Sequence, residues 1–329
     1  MLRNARPGAE TRRMTHQDAP LRAADTEAQL WDAVVIGAGP AGLSTALTLT
    51  RGCRRVLVID HGVPRNRFTD HMHGVLGHEG LAPGELRRVG RAEVEAHEGS
   101  FEDAQAASVD SVADDDGTRV RIATTDGRTF RARAVVVATG LRDELPNVPG
   151  LRALWGRGVY ACPFCDGYEH RDRPIAVLAN GDHSDMKAHL LRQWSADIVL
   201  LVNGSFALGE VEARALTARG IRIERSGVDE VIAGDDDRVR GVRLANGTEL
   251  ELEAIFTNPA FVPLTDFLDG AEVRGPEHPD ARVWVVGNAG DPRANVPVSI
   301  GQGATAGGDV AFALLMDEIA AATAGEQRP

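Results

Sequence analysis

Cys162-Pro163-Phe164-Cys165-Asp166 is the stretch whose residue types and spacing suit chemistry best. Two cysteines separated by two residues can close a disulfide within one turn of chain, and opening it gives two thiols, a two-electron exchange. If the pair opens a helix, the positive end of the helix dipole favours the thiolate, the reactive form. Asp166 follows at once, placed to hand a proton to a leaving thiolate or take one from an incoming thiol. Cys162, Cys165 and Asp166 are therefore the candidate catalytic residues. Zinc would need two further ligands beside the pair. His71, His73 and His78, in a polar loop running from Pro64 to Gly80, have no second ligand cluster at metal spacing, so no metal is expected. That loop is expected to line a cleft, with each histidine either an acid or base there or an ordinary polar loop residue.

The elements that must carry this pair are legible upstream. Ala33-Val34-Val35-Ile36 is apolar throughout, as a parallel strand buried on both faces is. It runs into Gly37-Ala38-Gly39-Pro40-Ala41-Gly42, then a helix through Ala46 and Leu49, then a strand Val56–Ile59 ending on Asp60, 18 residues beyond the last glycine. This is G-x-G-x-x-G with strand, helix and acid all in place. Gly37 permits the tight turn, Gly39 lets the backbone approach a pyrophosphate, Gly42 lets helix and strand pack, and Asp60 should accept hydrogen bonds from a ribose. Pro40 and Ala41 lie at the start of the helix that meets the phosphate charge. Glu85 to His97 reads as a helix, Val109 to Arg133 as short antiparallel strands, and Ala134 to Gly140 as a buried strand ending in a turn. Pro146 to Gly150 is punctuated as a linker.

Beyond the cysteine pair the first unit recurs, offset by 142 residues: strand Ile175–Leu178, helix Met186–Trp194, strand Ile198–Val202. The repeat exposes losses. Gly37 corresponds to Ala179, Gly39 to Gly181, Gly42 to Ser184 and Asp60 to Val202. Past the strand come Asn203-Gly204-Ser205-Phe206, with no cation to hold a 2′-phosphate, so NADPH lacks its usual support here. Ile221 to Glu253 reads as strands closing this domain. Val283 to Asn288 returns to a buried strand, and residues 296 to 316 form a helix rich in small residues, able to approach a flat cofactor closely.

Composition bounds the rest. At 329 residues, 43% hydrophobic and 26% charged, the chain is a globular protein of two domains. A net charge of −12, from 36 basic against 48 acidic residues, argues against nucleic acid or an anionic membrane as partner. No apolar run approaches the ~20 residues of a membrane span. Three cysteines cannot build a disulfide framework; this is cytosolic usage, and the expected location is cytoplasmic. The leftover Cys53 is expected to be a small buried apolar residue. Residues 1–29 are expected to be a disordered leader and 323–329 a disordered tail.

The order of parts resembles the low-molecular-weight thioredoxin reductase family of flavoproteins over residues 31 to 320 or so. The motifs are a first dinucleotide unit, Ala138-Thr139-Gly140 at a strand end, C-x-x-C-D, a second dinucleotide unit, then a Gly-containing strand and a small-residue helix. The resemblance implies an α/β fold of two Rossmann-like, three-layer dinucleotide-binding domains, the second inserted into the first. Residues 30–148 with 259–322 would bind FAD, and 149–258 would carry the redox disulfide. It implies FAD on Gly37, Gly39, Pro40, Ala41, Gly42 and Asp60, with Ala138, Thr139 and Gly140 beside it. It makes Cys165 flavin-proximal, Cys162 the interchange thiol and Asp166 the acid–base residue. The family's Gly-Asp pair at the ribityl chain appears as Gly287-Asn288, with Asp291 nearby as a substitute.

The degenerate second unit is similar to the thioredoxin-reductase-like dithiol oxidases of the holomycin and gliotoxin type, although Asp166 keeps the reductase pattern. The expected function is an FAD-dependent dithiol oxidase, homodimeric by resemblance, that takes a small-molecule dithiol and passes its electrons to oxygen. Its competitors are an NADPH-dependent reductase of thioredoxin or a small disulfide, with a thioredoxin-like protein as partner, and a non-catalytic flavoprotein redox sensor.

Overall fold

The computed structural model describes residues 29–205 and 207–325. The expected leader, apart from Gln29, and the residues after Gly325 lie outside it. In chain order the first half comprises β1 (Leu30–Trp31), β2 (Ala33–Ile36), α1 (Pro40–Arg51), β3 (Val56–Asp60), α2 (Pro83–Glu95), β4 (Ser100–Asp103), β5 (Ala106–Ser111), β6 (Val120–Thr124), β7 (Thr129–Ala132), β8 (Val135–Val137) and β9 (Leu141–Glu144). Then come β10 (Val159–Tyr160), the one-turn helix α3 (Pro163–Asp166), β11 (Ile175–Leu178), α4 (Ser184–Leu191), β12 (Ile198–Leu201), α5 (Glu210–Ala218), β13 (Arg222–Glu224), β14 (Val228–Ala233), β15 (Val239–Leu244), β16 (Glu249–Glu251) and β17 (Ala254–Thr257). The chain closes with β18 (Ala260–Pro263), β19 (Val283–Val285) and α6 (Val296–Gly325).

Two five-stranded sheets with parallel pairings, β19-β8-β2-β3-β4 and β10-β17-β11-β12-β13, organise the fold. Alternate residues of each strand point to opposite faces, so each sheet carries two cores. In the first, Val35, Val58 and Val136 pack under α1 and α6, while Val34, Leu57 and Val135 pack against the sheet β1-β7-β6-β5, antiparallel apart from its β1–β7 pair, through Ile122 and Phe130. The second repeats the plan: Val177 and Leu200 face α4 and α5, and Leu178 and Leu201 face the sheet β14-β15-β16. Both are three-layer units, and the strands of the second sheet all lie within residues 159–257, between strands of the first. Where the chain passes between them it forms an antiparallel ribbon: β9 leads out and β18 returns, with Leu141 opposite Pro263 and Glu144 opposite Ala260.

Three details depart from the sequence reading. Cys53 is exposed, not buried. It follows the C-cap of α1 with φ +58, and its N–H and that of Arg54 donate to Thr50 O and Leu49 O. A left-handed residue is what such a helix stop requires, and its side chain therefore points off the end of the helix. Helix α4 begins at Ser184 and stops at Leu191; Ser184 Oγ donates to Gly181 O at 2.8 Å and closes the turn before it. Finally, Thr323 is no part of a disordered tail. The Ala-rich segment carries α6 on to Gly325, and Thr323 Oγ1 donates back to Ile319 O.

The small residues of α6 serve a different contact from the one expected. A Cβ on Gly303 would collide with the carbonyl of Ala41, and one on Gly307 would lie 2.7 Å from Thr48 Cβ. The helix is pressed onto α1, and Thr45 Oγ1 and Ser44 Oγ donate to Gly303 O and Ile300 O across the seam.

Candidate active site

The glycines after β2 are fixed by backbone, not by side chains. Gly37 takes φ +104, and a Cβ there would sit 2.5 Å from Ala138 O; a Cβ on Gly42 would run into Gly37 O. Gly39 is different: nothing lies within 4 Å of where its Cβ would be. It caps α1 with no side chain on the cap and no acid in the first turn. No side chain or acid of the protein caps that turn, which leaves it to an anion, as a pyrophosphate site needs.

Asp60 ends β3 beside this turn. Its Oδ1 accepts from Ala38 N–H at 2.9 Å and its Oδ2 from Arg87 at 2.8 Å, and Arg87 also reaches Ala38 O at 3.2 Å. The carboxylate is held by protein partners but still borders the cavity, with a lone pair on each oxygen left for a ribose. Arg87 is a partner that the sequence reading missed. Thr139 Oγ1 and Gly140 O join the return strand at Leu264, at 2.7 and 3.0 Å. Gly287, at φ +62, lies against Ala41 with no room for a Cβ, and its N–H donates to Gln302 Oε1 at 2.9 Å.

Asn288 is more occupied than expected. Its Nδ2 donates to the carbonyls of Asp291, Pro292 and Ala294, and its Oδ1 accepts from Arg65 at 3.0 Å. Arg65 in turn grips Asp143 on β9 through two N–H···O contacts of 2.8 and 2.6 Å and lies over the Phe261 ring of β18. Asp291 turns to Arg293 N–H at 3.0 Å.

Gly37, Gly39, Asp60, Thr139, Gly287 and Asn288 line one cavity of about 810 Å³, as do Arg65 and Arg87, and Cys162, Cys165 and Asp166 line the same cavity from the second unit. That volume lies within the range of cofactor sites, about 300–1,000 Å³. Gly39's open approach, the uncapped α1 turn and the cramped Gly37 and Gly287 together fit a dinucleotide, which Gly37, Gly39, Asp60 and Gly287 would hold.

The pair sits as its spacing predicts. Cys162 caps α3, Pro163 takes the first helical position, and Cys165 N–H donates to Cys162 O at 3.2 Å. The thiols are unbonded. The thiol of Cys162 falls to about 6, through a hydrogen bond from Cys165, the N–H groups of Cys165 and Phe164, and the ammonium of Lys187, all working against burial. Cys165 is pushed up by its hydrogen bond to Cys162, by burial and by the negative charges of Cys162 and Asp166, and the charge of Arg65 opposes this. Different cations thus act on the two sulfurs, the charge of Lys187 from the second unit on Cys162 and that of Arg65 from the first on Cys165. Burial, the Cys162 thiolate and Glu169 raise Asp166 from 3.8 to about 7. It can therefore both hold and release a proton near neutrality. Of the loop histidines, His71 and His73 line the cavity, and His78 does not. His73 Nδ1 lies 2.7 Å from Glu79 and its Nε2 lies 3.6 Å from Glu169.

The second unit keeps a dinucleotide-like backbone with different contents. Its turn reads Ala179-Asn180-Gly181-Asp182-His183-Ser184-Asp185, which puts one acid in the turn and another in the first turn of α4. Asn180 N–H is taken by Ser184 Oγ at 3.3 Å. Asn203, at φ +50, accepts from Val228 N–H, and Ser205 Oγ donates to Ala179 O at 2.6 Å. That loop is tied to its own sheet, and neither Asn203, Gly204 nor Ser205 carries a charge.

This chain belongs to the pyridine nucleotide-disulphide oxidoreductase family, whose model matches residues 31–279. It is an FAD-binding, thioredoxin-reductase-like disulfide oxidoreductase, a family that acts on thiol or disulfide substrates. The thioredoxin reductase sirT of Leptosphaeria maculans is 28% identical over 319 residues, which cover 89% of this chain and 97% of that relative. A probable thioredoxin reductase of Arthroderma benhamiae is 37% identical over 178 residues, 53% of this chain, and the match spans only 44% of that relative's length. Among solved structures, that of HlmI matches with a TM-score of 0.84 at 39% identity, over 90% of this chain and 96% of HlmI. Among the described residues no helix is long and apolar enough to cross a membrane.

Proposed function

We propose that the protein is an FAD-dependent dithiol oxidase that closes a disulfide in a small-molecule substrate, with Cys162, Cys165 and Asp166 as its catalytic residues. The observation that carries this reading is the contrast between the two units. Both leave the middle glycine open and the helix start without a side-chain cap, but the first has no acid in the first helical turn, whereas the second carries Asp182 in its turn and Asp185 in the first turn of α4, with no cation at Asn203-Gly204-Ser205. A nucleotide phosphate is favoured at one and repelled at the other.

In this reading Asp166 takes the proton of a substrate thiol, whose sulfur attacks Cys162 of the Cys162–Cys165 disulfide. The bond to Cys162 forms, the inter-cysteine bond breaks, and the electron pair leaves on Cys165. The second substrate thiol, once deprotonated, attacks the first substrate sulfur; the product disulfide forms and Cys162 leaves as a thiolate. The substrate has lost two electrons and two protons, and the cysteines hold the electrons. FAD bound along Gly37–Gly42, Asp60, Ala138–Gly140 and Gly287-Asn288 supplies the acceptor for that electron pair and the route to oxygen. The roles of Cys165 as the flavin-side sulfur and Cys162 as the exchange sulfur agree with the charge of Arg65, from the first unit, acting on Cys165 and that of Lys187, from the second, on Cys162. We read residues 30–148 with 259–322 as the FAD-binding unit and 149–258 as the redox unit of a cytoplasmic homodimer. The exposed Phe312, Leu315, Met316 and Ile319 on α6 suit a partner copy.

Oxygen uptake with a panel of dithiols, with and without NADPH, tests this. Uptake that needs a dithiol and ignores NADPH is expected. Cys165→Ser should keep the yellow FAD spectrum and lose turnover, and unimpaired turnover in that variant would refute the assignment. The names of the relatives favour a second reading, an NADPH-dependent thioredoxin reductase. Rapid bleaching of the flavin on mixing with NADPH would establish that one instead.

A further inference from the structure

Of the chain's 36 lysines and arginines, one alone is a lysine, Lys187. In a protein that meets every other need for a cation with arginine, this position has a requirement of its own. Lys187 sits in the first turn of α4, the helix that in a nucleotide-binding unit would begin at the phosphates. Its Nζ donates to Ala161 O at 2.5 Å and to Thr257 O at 2.6 Å, the carbonyls at the ends of β10 and β17. An ammonium has three donors, so one remains. Ala161 is bonded directly to Cys162, and the ammonium stands at the corner where the strand becomes the redox helix. Arginine's planar fork does not converge on two carbonyls around a point, whereas an ammonium does.

We propose that Lys187 is a positioning residue for the exchange thiol: pinned on Ala161 and Thr257, it places a fixed positive charge beside Cys162 and holds that sulfur as a thiolate. The inference rests on the reading of Cys162 as the sulfur that leaves when the substrate disulfide closes, since a thiol that ionises readily leaves faster. The hydrogen bond from Cys165 and the N–H groups of Cys165 and Phe164 also favour the Cys162 thiolate, and Lys187 is the full positive charge that adds to them. Cys165 and Asp166 share the helix turn of that thiol; the charges of Glu169 and His73 act on Asp166, and that of Arg65 acts on Cys165. The dependence runs both ways. Burial lowers the Lys187 ammonium to about 8, and Cys162 is the group that opposes the fall.

The single lysine makes the test direct. In FAD-loaded protein carrying Cys53→Ser and Cys165→Ser, Cys162 is the only thiol, and the hydroxyl introduced by Cys165→Ser can still donate a hydrogen bond to it. The rate of iodoacetamide alkylation against pH reports its ionisation without any turnover. Lys187→Met should move the midpoint up by about one pH unit, the lower end of what a nearby opposite charge does, and slow alkylation roughly tenfold below the midpoint. An unmoved midpoint in folded, yellow Lys187→Met protein overturns the proposal. Should that variant not fold, the reciprocal measurement decides. Protein labelled with carbon-13 lysine gives one ε-carbon resonance, and Cys162→Ser should lower its titration midpoint; no change there overturns the proposal equally. Neither readout depends on oxygen uptake or on a dithiol substrate, so failure of the oxidase reading is distinguished from failure of this one.

Discussion

Asp166 shows how far one side chain's surroundings decide its use. Its folded value of about 7 stands above its ordinary 3.8. The folded state therefore binds the extra proton between those limits, and stability falls as pH rises from about 4 to about 7. Above that window the whole penalty is present, at about 1.4 kcal/mol for each pH unit between the two values before any relaxation. Asp166→Asn should raise the melting temperature at pH 8 and leave it unchanged near pH 4. In the same variant, oxygen uptake should fall about 100-fold or more and lose its inflection near pH 7. Cys53 offers the opposite case, a residue with a conformational cost and no site. At φ +58 it occupies a position glycine takes freely, so Cys53→Gly should stabilise by about 0.5–1 kcal/mol in urea titrations with turnover unaffected. Residue by residue, the sequence told most where one stretch of backbone sets its own requirement. The cysteine spacing makes a single turn, and Gly37 and Gly42 are cramped by neighbouring backbone in their own motif or at its strand partner. It told least where the partner comes from elsewhere: Arg87 for Asp60, Glu169 for His73, Thr257 for Lys187. The count of lysines was available from the start and marks Lys187, but only the fold says what it touches.

At the scale of elements, the seam between α1 and α6 sets the shape of the cofactor cradle. Gly303 meets Ala41, and Ala41 opens the helix whose first turn faces the cavity. A methyl group at Gly303 cannot be absorbed by a flexible neighbour, because what it meets is a carbonyl of the main chain. Gly303→Ala should therefore destabilise by about 1–3 kcal/mol, the usual cost of overpacking, and should weaken FAD retention in gel filtration, whereas Gly308→Ala, with open space around it, should do neither. Elements were readable where composition and periodicity agree, as in the apolar runs of β2, β11 and β12. Alanine, threonine and glycine at the end of α6 suggest a loose tail by composition, but the many helical turns before them carry the helix through. Sequence shows the size of the small residues of α6 but not which surface comes close, and that surface is α1.

Across the whole molecule, Arg65 joins parts that are far apart in the chain: its own loop, Asp143 and Phe261 on the two ribbon strands, and Asn288 beyond β19. Asp143 is almost completely enclosed, with 8% of its side chain exposed, and Arg65 keeps 28%. Arg65→Met leaves that carboxylate without its partner and should cost about 1–3 kcal/mol, less than the loss of a fully buried pair. It should also lower FAD affinity, read by fluorescence of released flavin, because Asn288 loses its hydrogen bond. No spacing rule links positions 65, 143 and 288, which is why this knot could not be anticipated, although the two units and their order could. The lone lysine has a practical consequence at this scale too. Succinimidyl esters and other amine-directed conjugation reagents find one internal target in the entire polypeptide, and it is engaged by two carbonyls beneath the sulfur centre. The speed of its acylation would therefore serve as a built-in gauge of how often that corner breathes open.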